Sequence, residues 1–416
     1  MEITSRTEYD SLLARHDAMR LRRQILAPAV PTPALPPAER AGYGHDARAD
    51  QELILRHLDA VTPFDLLIEH LYDFMFLRRP YLRRLFPESM EFQREHLGRM
   101  FRYLIDNLHR PDHMSAVLQQ LGRDHRKLGV WPAHYDAFEE ALCSALRSRA
   151  GRAWSADAEG AWLRMLRFAV GEMVAAAESA LTEPPYWLGV VTAHRPYGTD
   201  AAILQVRTGE PYPYRAGQYA TVESALLPHT WRPYSIACAP RTDNVLEFHV
   251  RRSGAGGVSA ALVDGTAVGD TLRLGPPRGA MTVDVDGDPR DLLLVAHGTG
   301  LAPMKALVED LSERRVRGQR VHLLVGARDR ADLYGWDALA DLGVRRPWLE
   351  LVPVLGHEAR PGGALCAALA GSDWSGHLAF VGGPPAVVET VQGHLLAAGV
   401  PGDRIRHDPL PAAGRG

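Results

Sequence analysis

The proline pair Pro184-Pro185 splits this 416-residue chain into two stretches with different hydrophobic periods. Neither proline can donate a backbone hydrogen bond, so no helix runs through the pair. Upstream, over residues 48–182, apolar side chains recur at three- and four-residue intervals and glycine is scarce, which predicts an all-helical domain. Thr62-Pro63 reads as a helix start, with Thr62 capping and Pro63 in the first turn. Trp131-Pro132 reads as another, running through Tyr135, Phe138 and Leu142, and residues 158–181 form a long last helix.

Downstream the pattern changes to short strand-like runs, such as 187–192 and 202–207, broken by glycine and proline. Residues 185–282 therefore read as a small antiparallel β-barrel. In 283–416, buried-strand runs at 292–296, 321–325 and 378–381 alternate with helical stretches such as 303–315, the signature of a doubly wound parallel sheet. The fold class is thus multi-domain: all-α, then antiparallel barrel, then α/β. Residues 1–47 stand apart as an extension. Residues 8–25 can form one helix with Tyr9, Leu12, Leu13, Leu21 and Ile25 on its apolar face, and 28–37 are too proline-rich for anything but an extended linker. The extension reads either as a disordered tail or as a docking or dimerisation helix.

A formal net charge of −3 gives no basic field for nucleic acid or acidic lipid. Lys127 and Lys305 are the only lysines, and the arginines are scattered. Cys143, Cys238 and Cys366 are odd in number and far apart, so they read as small buried hydrophobes in a reducing compartment. The sequence offers no signal-peptide pattern and no run of roughly 20 apolar residues, so a cytoplasmic location is expected; small-molecule substrates and a monomer or homodimer are separate expectations.

Several short motifs, most of them bearing glycine, carry chemistry in the second half. Arg232-Pro-Tyr-Ser235 follows a polar turn; its arginine can grip a phosphate in bidentate fashion, while Tyr234 and Ser235 offer a ring and a hydroxyl to a flavin. Gly217-Gln-Tyr219 lies upstream, and Gly256-Gly-Val-Ser259 downstream leads into a helix at 260–263, where backbone N–H groups can meet a pyrophosphate. Gly298-Thr-Gly-Leu-Ala-Pro303 joins a strand to a helix, the place where a parallel sheet binds a dinucleotide, although it meets GxGxxG only in part. Gly382-Gly-Pro384 follows a later strand. The plainer reading is that these glycines serve tight turns alone.

In their order, these motifs make residues 186–410 resemble the ferredoxin–NADP reductase superfamily. The resemblance implies FAD held by Tyr219, Arg232, Pro233, Tyr234, Ser235, Gly256, Gly257, Val258 and Ser259. It implies NADH or NADPH on Gly298, Thr299, Gly300, Leu301, Ala302, Pro303, Gly382, Gly383 and Pro384. Two positions depart from the family: Gly382 stands where a cysteine is usual, and Leu410 where an aromatic usually lies by the flavin. Both bear on the rate of hydride transfer. Arg328 and Arg330 follow strand 321–325, where a 2′-phosphate would sit, but the choice between NADH and NADPH stays open.

A haem ligand must be a neutral imidazole on a helix facing an apolar pocket. By position alone His125 is a helix-end histidine favoured by the helix dipole. The succession His70-Leu-Tyr-Asp-Phe-Met-Phe76, Arg79-Pro80, Leu85-Phe86, Gln93-Arg-Glu95, His125 and Trp131-Pro-Ala-His-Tyr135 resembles the globin domain of bacterial flavohaemoglobins over residues 50–180. This implies haem b iron on His125, with Tyr72 and Gln93 as a distal polar pair, Phe86 wedged on the haem and Leu97 walling the pocket. Tyr135 would join a glutamate of the last helix, Glu178 or as fallback Glu172, in making the imidazole more basic. Asp124 departs from the lysine usual before the proximal histidine. His96 reads as outward-facing or as an alternative iron ligand, and His109, His113 and His134 as solvated.

The resemblance implies a nitric oxide dioxygenase passing electrons from NAD(P)H through FAD to haem. Two other expectations stand beside it: a haem and flavin oxidase acting on an organic nitrogen substrate or supplying reactive nitrogen species, and a gas or redox sensor signalling through the N-terminal helix.

Overall fold

The computed structural model describes residues 43–254, 256–284, 290–314, 319–356 and 360–409, with side chains from residue 47 onward. The expected helix at 8–25, the linker at 28–37 and Leu410 lie outside the described residues. The chain divides into two compact units, Met1–Pro185 and Tyr186–Gly416.

The first unit is helical: α1 (Tyr43–Arg56), α2 (Leu58–Val61), α3 (Phe64–Arg78), a 3₁₀ turn (Pro80–Leu85), α4 (Glu91–Asn107), α5 (Pro111–Lys127), α6 (Pro132–Ala150) and α7 (Ala156–Ser179). Leu67, Ile68, Leu71 and Met75 form the apolar stripe of α3 and are fully enclosed, the spacing a helix needs to bury one face. Trp162 of α7 is completely buried, edge-on to Phe64 at 6.4 Å and to Phe101 at 5.7 Å. Arg164 of α7 grips the buried Asp50 of α1 through two hydrogen bonds of 2.9 and 2.5 Å. Helices α5 and α7 cross where Gly122 meets the Met173 backbone so closely that a side-chain carbon on residue 122 would overlap the Met173 carbonyl.

Helix starts differ in part from expectation. Thr62 does not cap α3: it ends α2, and Pro63 takes the extended N-cap position of α3 with no side-chain cap. The last helix begins earlier than expected, because Ser155 caps it by accepting the Ala158 N–H at 3.1 Å. α6 does start at Pro132, and there the His134 ring accepts the Trp131 N–H at 3.1 Å, so His134 is half-buried and engaged rather than solvated.

In the second unit six strands form an antiparallel sheet: β1 (Trp187–Tyr197), β2 (Ala201–Thr208), β3 (Tyr219–Ser224), β4 (Arg232–Ser235), β5 (Val245–Arg251) and β6 (Thr271–Leu274), in the order β4-β3-β6-β1-β2-β5. The Ile236–Phe248 bridge and the Ala237 N–H to Glu247 carbonyl bond (2.7 Å) bring the edges together, nearly closing a barrel. Val191, Leu204, Val206, Val222 and Phe248 fill its interior. The short helix α8 (Gly257–Ala260) runs into a single π turn (Ala261–Gly265).

The chain then builds a five-stranded parallel sheet from β7 (Leu292–His297), β8 (Val321–Ala327), β9 (Leu349–Leu355), β10 (Leu378–Gly382) and β11 (Ile405–Arg406), ordered β11-β10-β7-β8-β9. Helices α9 (Leu301–Arg314), α10 (Trp336–Arg345), α11 (Gly363–Leu369) and α12 (Pro385–Ala397) connect the strands. Both faces of β7 are buried in separate apolar clusters, Leu292 and Leu294 in one and Leu293 and Val295 in the other, which is why its sequence is an unbroken apolar run. The fold class is the one the sequence implied.

Candidate active site

In the helical unit, α3 carries Tyr72 inside a cage of rings. Its centroid is 5.8 Å from Phe76 and 5.5 Å from Phe86, and those two lie 5.3 Å apart. Burial pushes the Tyr72 phenol well above its ordinary pKa, partly offset by Arg94, so the hydroxyl keeps its proton and remains a donor. On α4 the Gln93 Oε1 and the Arg94 Nε are buried with no hydrogen-bond partner in the protein, and Leu97, one turn on, packs against the core. His125 stands in the last turn of α5. Its Nδ1 lies 2.8 Å from the Leu121 carbonyl, which can only accept, so Nδ1 carries the proton and Nε2 is the bare nitrogen. Burial lowers the His125 pKa, with the Leu121 bond opposing, and keeps the ring neutral.

The surroundings of His125 differ from the implied shell. Tyr135 is present, 6.4 Å from the imidazole and tilted by 41°, its phenol pushed up to about 12 by burial. The two glutamates are not brought to the ring: Glu178 is exposed, and Glu172 accepts from Gln119 Nε2 at 2.9 Å. The Nδ1 proton goes to a main-chain carbonyl instead. Asp124 pairs at 3.2 Å with Lys127, one turn on, whose side chain is 7% exposed; the unusual acid therefore comes with its own cation. His96 is exposed and stacked on Phe92 at 5.8 Å, and His109 and His113 are exposed.

In the second unit a cleft of about 580 Å³ opens between barrel and parallel sheet. It gathers Tyr219, Pro233, Ser235, Gly298, Thr299, Gly300, Pro303, Gly382, Gly383 and Pro384 from strand ends far apart in sequence. Tyr219 and Ser235 are neighbours in the β3–β4 ladder. Gly217, at φ 89°, turns the chain into β3 where a side chain would overlap the Met281 carbonyl. Gly300 and Gly382 press their backbones together: a side-chain carbon on residue 382 would lie 2.7 Å from the Gly300 carbonyl and 3.1 Å from Met304 Cε. This crowding accounts for glycine where the family has cysteine.

Other implied residues do not line the cleft. Arg232 directs Nη1 to the Trp231 carbonyl at 2.9 Å; Tyr234 is half-buried, its phenol raised to about 12 by burial. Gly256 and Gly257 are exposed with φ of 91° and 80°, Val258 is core, and the Ser259 hydroxyl is spent on Ser253 at 3.0 and 3.1 Å. Leu301 and Ala302 are buried in α9 as packing residues. The cleft also includes groups that motif reading passed over: His297, His407 and Asp408. Burial raises the Asp408 carboxyl to about 6; Ser235 hydrogen-bonds to it, and its Oδ1 is buried without a partner. The signal was present in His407-Asp-Pro-Leu410, read only for its missing aromatic.

Two families match this chain: Globin over residues 69–173 and Oxidoreductase FAD-binding domain over residues 189–283. The flavohemoprotein of Bordetella pertussis (strain Tohama I) is 25% identical over 322 residues, 72% of this chain and 78% of its own. The chain is a globin joined to an FAD-binding reductase domain, a flavohaemoglobin-type fusion. A flavohemoglobin from Malassezia yamatoensis shares the fold of this fusion, with a TM-score of 0.68 at 17% identity over 86% of this chain and 98% of that one. A 233-residue stretch of the chain is also 32% identical to the ferredoxin–NAD(P)+ reductase component of the naphthalene 1,2-dioxygenase/salicylate 5-hydroxylase systems of a Ralstonia species, covering 54% of this chain and 69% of that one. The fusion spans 59–62% of the length of several other oxygenase reductase components it matches. No helix among the described residues is long and apolar enough to cross a membrane.

With a globin and an FAD-binding reductase domain, the chain has places for haem in the globin half, FAD in the barrel and NAD(P)H on the sheet. Its residues fit these groups. The orphaned Gln93 Oε1 and Arg94 Nε, the bare His125 Nε2 and the apolar walls suit haem. The cleft with its orphaned Asp408 Oδ1 suits the meeting of flavin and nicotinamide.

Proposed function

We propose that this fusion is a nitric oxide dioxygenase of the cytoplasm, where Cys143, Cys238 and Cys366 are free thiols. Its reaction balances as two nitric oxide, two dioxygen and one NAD(P)H giving two nitrate, NAD(P)+ and a proton. The supporting observation is Tyr72: a buried, protonated phenol within an aromatic cage, with the partnerless Gln93 amide oxygen supplied from the neighbouring helix.

We assign residues 48–182 to the globin domain, 185–282 to the FAD barrel and 283–416 to the NAD(P)H domain. His125 would hold haem, whose iron supplies the centre at which dioxygen oxidises nitric oxide. The Leu121 carbonyl fixes the His125 tautomer and ring orientation. Tyr72 supplies an O–H donor where Phe76 and Phe86 exclude water, which favours negative charge growing on an oxygen atom there. FAD would supply the conversion of one hydride into two single electrons. Asp408, hydrogen-bonded to Ser235 and with its carboxyl raised to about 6 by burial, would hold a proton beside FAD when it is bound.

The test is nitric oxide consumption by the aerobic, NADH-reduced holoprotein, with nitrate as the measured product. Stoichiometric nitrate, strongly reduced in Tyr72→Phe, supports the assignment. Full haem and flavin content with no nitrate formation overturns it.

A further inference from the structure

Beside the cofactor cleft lies a second cavity of about 410 Å³, also at the carboxyl end of the parallel sheet, and His297 and Pro384 line both. A dinucleotide with its nicotinamide in the first cavity would carry its diphosphate over that shared wall and its adenosine ribose into the second, because such sheets bind ligands across the carboxyl ends of adjacent strands. The residue that follows the strand after the glycine-rich turn then faces the ribose 2′ position, a hydroxyl in NADH and a phosphate dianion in NADPH. Here that residue is Arg328, directly after β8.

Arg328 is the only guanidinium among the described residues lining the second cavity. Its Nε donates to the Asp332 carboxylate at 3.1 Å. Asp332 sits on a turn fixed from three directions. The Asp329 carboxylate accepts the N–H groups of Ala331 and Asp332 at 2.9 and 3.2 Å. The Tyr197 hydroxyl donates to the Ala331 carbonyl at 2.6 Å. The Tyr334 hydroxyl donates to the Gly298 carbonyl at 3.0 Å, tying the turn to the glycine-rich loop itself. A phosphate arriving at Arg328 meets a carboxylate already in place, and the Arg328-Asp-Arg-Ala-Asp332 segment holds two positive and two negative side chains, leaving no net positive charge for a dianion. A ribose hydroxyl carries no such penalty.

We propose that this reductase selects NADH over NADPH, and that Asp332 enforces the choice by neutralising Arg328. The proposal rests on the assignment of NAD(P)H to the sheet domain. It is tested on the full-length holoprotein with ferricyanide as electron acceptor, so that haem chemistry does not enter the readout. The expected kcat/KM is higher for NADH than for NADPH by on the order of tenfold or more, and Asp332→Asn reduces that ratio by about tenfold through a lower KM for NADPH. Adding Arg328→Ala to Asp332→Asn restores the NADH preference. A wild-type ratio of one or below, or a ratio unmoved by Asp332→Asn, overturns the proposal. If neither nucleotide reduces the flavin, the nicotinamide assignment itself falls, and the proposal with it.

Discussion

Tyr72 serves packing and, in the proposed function, chemistry. Its ring completes the Phe76–Phe86 cage, while its hydroxyl, kept protonated by burial, is the donor in that apolar space. Tyr72→Phe keeps the ring and removes the donor, so nitrate formation is expected to fall on the order of 100-fold with haem still bound. Stopped-flow nitric oxide consumption beside the haem spectrum checks this. Asp408 makes a prediction in pH. Its folded pKa of about 6 lies above the ordinary 3.8, so between those values the folded protein binds more protons than the unfolded one. The Asp408 contribution to stability therefore falls as pH rises from 3.8 towards about 6 and is constant above that window. In the proposed function, the Asp408 carboxylate would take up a proton beside bound FAD. Electron delivery from reduced flavin to ferricyanide should slow as pH falls through about 6, and should be slow and without that inflection in Asp408→Asn. A wild-type rate flat from pH 5 to pH 8 would count against the proton route. Tyr72 was named through the resemblance of residues 70–76 to a globin segment. Asp408 was not, since a carboxyl in a C-terminal tail looks solvated until the fold buries it against Ser235.

Among elements, the α5–α7 crossing decides whether His125 is held in place. Gly122 lies three residues before His125, and its backbone touches that of Met173. Gly122→Val would force the helices apart, at a cost of about 3 kcal/mol in the globin half. The expected reading is a lowered thermal midpoint for haem release with flavin content unchanged, whereas an unaltered midpoint would contradict the close crossing. The Gly300–Gly382 contact is the counterpart in the sheet, joining the turn after β7 to the end of β10. Helix boundaries show the limit of local reading at this scale. Trp131-Pro132 did open a helix, but Thr62 was drawn into ending α2, and Ser155 took the cap of α7. Cap signals name candidates, and the packing of the flanking helices selects among them.

For the whole molecule the prediction concerns electron flow. Anaerobic NADH should convert the haem spectrum from ferric to ferrous in the holoprotein, and should leave it ferric when FAD has been removed. Haem reduction without flavin would break the proposed order of transfer. The sequence alone determined the architecture, because hydrophobic period and glycine-rich turns are local properties: a period near 3.6 up to Pro184-Pro185, strand alternation and turns beyond, and an unbroken apolar β7 for a sheet covered on both faces. The turn at Gly298 was carried by a contiguous motif, whereas Tyr72 and His125 were named only through the resemblance to a known family. Only the tertiary structure decided what those residues meet. It gave the His125 proton to the Leu121 carbonyl while Glu178 stayed exposed, paired Asp124 with Lys127, spent the Ser259 hydroxyl on Ser253, and set Asp332 against Arg328. These contacts depend on helix crossings and strand ends brought together from distant parts of the chain, which no local pattern encodes.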